Sequence, residues 1–141
     1  MFRKLVLTVL LFLAPIAAQA ETPDAADGLA FQRIIAAQIE AFRADDGPLA
    51  YSYAAPVIQR IFPSPETFMD MVKRGYRPLY RPQSFRFGES GPDDAGRPSQ
   101  RVIVVGPDGM TYEALYSFER QPDGNWKING CRLLLASGLD A

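Results

Sequence analysis

Two tetrapeptides, Gly106-Pro107-Asp108-Gly109 and Gln121-Pro122-Asp123-Gly124, constrain the fold of this chain more than any other feature. In each, proline sets the φ that opens a turn, aspartate bonds to nearby backbone, and glycine accepts a positive φ. The segments around them alternate with a period of two. Val102 and Val104 alternate with Ile103 and Val105; Tyr112, Ala114, Tyr116 and Phe118 alternate with Glu113, Leu115 and Ser117; a last segment runs from Trp126 to Leu135. Three such strands joined by two tight turns form an antiparallel meander. Phe85 and Phe87, flanking Arg86, predict one more strand before it, and the polar stretch 88–99 reads as an exposed, mobile loop.

Upstream the period is helical. Phe31, Ile34, Ile35, Gln38, Ile39 and Phe42 recur at three- and four-residue intervals, with Asp27 as the expected N-cap and Asp45-Asp46-Gly47-Pro48 as the stop. Leu49 to Ala55 reads as a short second helix closed by Pro56, and Val57 to Phe62 fits helix and strand equally. Ser64-Pro65-Glu66 supplies an N-cap, a first-turn proline and an acidic first turn for a helix ending at Gly75. Helices followed by a meander define an α+β domain, with N-terminal helices packed on a curved antiparallel sheet.

Residues 1–20 carry Arg3 and Lys4, an apolar run from Leu5 to Leu13, and Ala18-Gln19-Ala20. This is the pattern of an export signal cleaved before Glu21, and the run is too short for a bilayer span. The expected organisation is therefore a signal peptide at 1–20, a flexible leader at 21–26 and one domain at 27–141. The expected location is the periplasm or the medium. Loss of Arg3 and Lys4 leaves 13 basic residues against 16 acidic ones, a balance that gives no electrostatic reason to expect nucleic acid. The single cysteine, Cys131, rules out an intramolecular disulfide, and it reads either as a small packing residue or as a reactive thiol.

The ending PDGNWKINGCRLL, with helices first and a hairpin-rich sheet after, resembles the nuclear transport factor 2-like superfamily, also called cystatin-like or SnoaL-like. The signal segment, AQIEAFRADD, GYRPLYRP and WKING together resemble an exported bacterial family catalogued as a domain of unknown function. That resemblance implies a cone-shaped fold, export and self-association through the sheet. It carries over no catalytic residues; enzymes on this fold often use an Asp or a His in the cone, and this chain has no histidine.

Simple hairpin registers put Tyr112, Tyr116 and Arg132 on the apolar sheet face, with the helix stripe that contains Gln38 laid against it. Arg132 there is either the polar lining of a pocket for a small anionic or apolar ligand, together with Tyr112, Tyr116 and Gln38, or a side chain that snorkels at an open end. The opposite face, with Ile103, Leu115, Cys131 and Leu133, is apolar enough to suggest a homodimer.

The doubled Tyr-Arg-Pro, Tyr76 to Pro82, predicts an extended connector, since its prolines remove two amide donors. Arg74, Tyr76, Arg77, Tyr80, Arg81 and Arg86 form the one basic concentration, readable as a grip on an anionic envelope surface or protein, or as a self-paired connector. No cofactor motif, metal-ligand spacing or nucleophile with a base is visible. The leading expectation is a non-enzymatic binding or accessory module. The alternative is a small isomerase or dehydratase pairing Glu40, Asp45 or Asp46 with Tyr112 or Tyr116.

Overall fold

A computed structural model of the chain describes residues 24–136; the expected signal peptide and its cleavage point lie outside the described residues. Helices α1 (Ala25–Arg43), α2 (Gly47–Ser52), α3 (Pro56–Ile61), α4 (Pro65–Gly75) and α5 (Arg77–Tyr80) precede strands β1 (Ser84–Pro92), β2 (Pro98–Val105), β3 (Thr111–Arg120) and β4 (Trp126–Leu135). The strands form one antiparallel sheet in sequence order. The domain is α+β, consistent with the expected cone arrangement. No described helix is long and apolar enough to cross a membrane.

The α1 stripe does what its spacing dictates. Phe31, Ile35 and Ile39 are fully buried against Val102, Val104, Ala114, Tyr116, Phe118 and Ile128 of the sheet. Phe31 stacks on Phe118 with ring centroids 4.1 Å apart and meets Trp126 edge-on at 5.1 Å. A second cluster, built on Phe42, Ala50, Phe68, Met69 and Val72, welds α1, α2 and α4 together.

Helix α1 begins earlier than its sequence suggests. Asp24, not Asp27, is the N-cap, and residues 25–26 of the expected leader are helical. Asp24 accepts from the Asp27 N–H at 2.9 Å while Asp27 accepts from the Asp24 N–H at 3.1 Å, a reciprocal capping box. Asp27 also accepts from Trp126 Nε1 at 3.2 Å and pairs with Arg120 at 3.3 Å, so one carboxylate fastens the helix to the final hairpin.

The stretch expected to be a mobile loop is mostly strand. β1 and β2 pair as far as Pro92 opposite Pro98, leaving a short turn in which Asp93 accepts from the Ala95 and Arg97 amides and pairs with the Arg97 guanidinium. An edge strand needs no apolar alternation, so its polar sequence hid it. Its register shifts between Phe87 and Ser90, and the buried Gln100 amide caps the Gly88 carbonyl at 2.9 Å.

The two later hairpins start in the expected registers, with Val102 opposite Ala114 and Phe118 opposite Ile128. Between Ser117 and Phe118 the pairing then slips, so Tyr116 faces Cys131 and Ala114 faces Leu133. One extra residue in β4 inverts every side chain beyond it. Cys131 and Leu133 therefore pack against the core, whereas Arg132 and Leu134 point outward, opposite to expectation.

Tyr76 to Pro82 also departs from the extended form. Pro78 occupies the first turn of α5, where its missing amide leaves no helical bond unmade, and Pro82 follows the C-cap Arg81.

Asp27→Ala is expected to lower the unfolding free energy by about 1–3 kcal/mol, read from urea denaturation. The Asp24 backbone amide above all, then Trp126 and Arg120, hold the Asp27 carboxyl below its ordinary value. A depressed folded pKa stabilises fully above the unfolded value of about 3.9 and is lost as pH falls through the folded one. The gap between wild type and Asp27→Ala should therefore close in acid; a constant gap would contradict this role.

Candidate functional site

A cavity of about 320 Å3 lies between α1, α3, α4 and the β3–β4 end of the sheet. Its position follows from local sequence. Ser64 accepts from the Thr67 amide at 3.1 Å and, with Pro65 in the first turn, fixes the start of α4. Phe68, Met71 and Val72, spaced three and four apart, then line one wall. Across from them, Tyr53 O accepts from the Ile128 amide at 2.9 Å and Ile128 O accepts from the Ala55 amide at 2.8 Å. This short parallel bridge occupies the β4 edge at Ile128 and sends α3 over the cavity, bringing Ile58 and Ile61 into the wall.

Few polar atoms interrupt this apolar surface. Gln38 donates to the Ala50 carbonyl at 3.1 Å, and the Tyr76 hydroxyl donates to the Cys131 carbonyl at 3.0 Å. The Tyr116 hydroxyl has no hydrogen-bond partner among the described residues, although the side chain is only 2% exposed. Burial, then the neighbouring Cys131 and Tyr76, push its pKa well up, so it stays a neutral donor and acceptor. Burial likewise pushes the Cys131 thiol up to about 12, which removes the thiolate needed for nucleophilic chemistry near neutral pH. Among the described residues, no charged side chain lines the cavity.

Of the four residues expected to line a pocket, Gln38 and Tyr116 do so. Arg132 is exposed on the far sheet face because of the β4 slip, and the half-buried Tyr112 donates to Asp108 in its own turn at 2.6 Å. The carboxylate–tyrosine pair of the enzymatic alternative does not form. Glu40 pairs with Arg43, Asp46 caps α2, Asp45 bonds Tyr80 and Arg81, and all three are exposed. Among the described residues, no cluster of three or more His, Cys, Asp or Glu side chains comes together.

The doubled Tyr-Arg-Pro divides into two fastenings. In the first copy Tyr76 enters the cavity wall and holds β4, while Arg77 is exposed. In the second, Arg81 stacks on the Tyr80 ring at 3.8 Å, donates to the Phe42 carbonyl and pairs with Asp45 at 2.9 Å; Tyr80 donates to the same carboxylate. These groups cap the C-terminal end of α1. Arg74 is exposed and donates to the Asp70 carbonyl, and Arg86 stands on the outer sheet face beside Ile103. The six residues thus do not converge on one surface.

Cys131 and Tyr76 are wall residues that sequence reading placed elsewhere. The signal for Cys131 was Asn129-Gly130, a turn-like pair inside a strand pattern, which marks a bulge.

Residues 24–141 match the model of a family described as a domain of unknown function, DUF4864, and the chain belongs to that family. No curated protein and no solved structure matches it.

Tyr116→Phe is expected to raise the unfolding free energy of the ligand-free protein by about 1 kcal/mol, because it deletes a buried, unpartnered hydroxyl. Urea denaturation checks this; a loss of stability would show that the hydroxyl is satisfied.

Proposed function

We propose that this chain is an exported, non-enzymatic binding module whose cavity takes a small, neutral, largely apolar molecule. The observation that carries the reading is the unpartnered Tyr116 hydroxyl in the wall of an apolar cavity. Leaving such a group unsatisfied costs about 1–3 kcal/mol, and native proteins retain that cost chiefly at sites with another use for the group. A ligand with one hydrogen-bonding group beside an apolar body satisfies Tyr116 and covers the wall of Phe68, Met71 and Val72. With no cation in the lining, a neutral ligand fits better than an anionic one.

The export pattern at 1–20 supports a periplasmic or secreted location for the module. The order of helices and meander supports membership of the nuclear transport factor 2-like superfamily. In this reading two copies associate through the outer sheet face, where Ile103 and Leu115 are half-buried and Leu134 is 60% exposed.

The test is a fluorescence titration with the neutral apolar dye N-phenylnaphthylamine. Saturable binding is expected, weakened about fivefold to tenfold by Tyr116→Phe, which is one hydrogen bond's worth. An absence of saturable binding, or equal affinity in wild type and variant, would remove the cavity from consideration.

A further inference from the structure

The segments that line the cavity also carry exposed apolar groups and exposed arginines without a carboxylate partner among the described residues. Ile61 at the end of α3 is a wall residue yet 64% exposed, and Phe62 and Met71 beside it are only half-buried. Each rim element carries an exposed arginine next to a wall residue. Arg60 precedes Ile61, Arg74 lies one helical turn after Met71, and Arg77 follows Tyr76. None of the three has a carboxylate partner within salt-bridge distance among the described residues; Arg74 bonds only the Asp70 backbone. Two acids, Glu66 and Asp70, share the exposed side of α4, so the rim keeps a local excess of positive charge in a chain whose formal charge is −1.

Resting on the cavity reading above, we infer that this rim docks on a bilayer containing anionic lipid, and that the ligand enters from that bilayer. A neutral apolar molecule partitions into lipid far more readily than into water, so a carrier gains by opening its mouth against the membrane. Ile61, Phe62 and Met71 supply apolar area for the headgroup boundary, and Arg60, Arg74 and Arg77 match the negative surface. Lipid phosphates satisfy guanidinium groups that have no carboxylate of their own. The contact is peripheral and weakened by salt, since each cation contributes only modestly and within a Debye length.

The experiment is flotation of the chain from Glu21 onward with mixed phosphatidylglycerol–phosphatidylcholine vesicles, beside phosphatidylcholine vesicles alone. Omitting residues 1–20 keeps their apolar run from binding lipid by itself. Expected is binding to the mixed vesicles, reduced about tenfold or more by combined Arg60→Gln, Arg74→Gln and Arg77→Gln. Ile61→Asp, at an exposed position, should also weaken it several-fold. The control is Arg33→Gln with Lys127→Gln, at a separate cleft between α1 and the β3–β4 turn that shares no wall residue with the cavity. This control should bind within about twofold of wild type. No binding to mixed vesicles, or an equal loss in both charge variants, overturns the docking. Dye binding without vesicles separates the two ideas: retained dye binding with failed flotation sinks only the docking, and lost dye binding sinks the cavity reading itself.

Discussion

One extra residue in the last strand decides what the interior of this domain looks like. At Asn129 the β3–β4 ladder slips, and the Ser117 hydroxyl bonds the Asn129 side-chain oxygen at 2.6 Å. Gly130 follows because a Cβ there would lie 2.9 Å from the same Ser117 oxygen. Before the slip, Trp126 and Ile128 face the core; after it, Cys131 and Leu133 do, while the Arg132 guanidinium is spared burial. The edge amide and carbonyl of Ile128, just before the slip, are taken by the Tyr53–Ala55 segment, which anchors α3 above the cavity. The bulge thus sets both the chemistry of the cavity floor and the position of its roof.

The Tyr-Arg-Pro repeat serves the same enclosure. A single turn of helix with Pro78 in its first turn and Pro82 just after its C-cap resists adjustment, so Tyr76 and Tyr80 are held at fixed spacing. Tyr76 grips β4 next to the bulge and Tyr80 with Arg81 closes the end of α1. The side pairing of Arg81 with Asp45 also explains why a conspicuous basic stretch offers fewer free cations than its sequence advertises.

Much of this architecture was legible from residue order. The α1 stripe, the Ser64 cap, both Pro-Asp-Gly turns and the first pairs of each later hairpin follow from local periodicity and turn chemistry, which act within a few residues. What escaped depends on partners distant in sequence. The polar edge strand β1 is held by pairing to β2 and by Gln100, not by a hydrophobic face. The α5 turn depends on contacts that Tyr76 and Arg81 make across the fold. The cavity was half legible: Tyr116 and Gln38 follow from the first register and the helix stripe, but Arg132 and Cys131 exchange places at a slip that only Asn129-Gly130 hinted at.

The register of β4 is the claim on which the cavity and its neutral lining stand, and thiol accessibility tests it directly. Maleimide labelling of the native protein at Cys131 is compared with labelling of Arg132→Cys in a Cys131→Ala background. The structure predicts that the thiol introduced by Arg132→Cys reacts in the folded state nearly as fast as in urea, whereas the half-buried Cys131 reacts markedly more slowly until the protein unfolds. Fast labelling of native Cys131 with protection at position 132 would return the arginine to the interior and contradict the account.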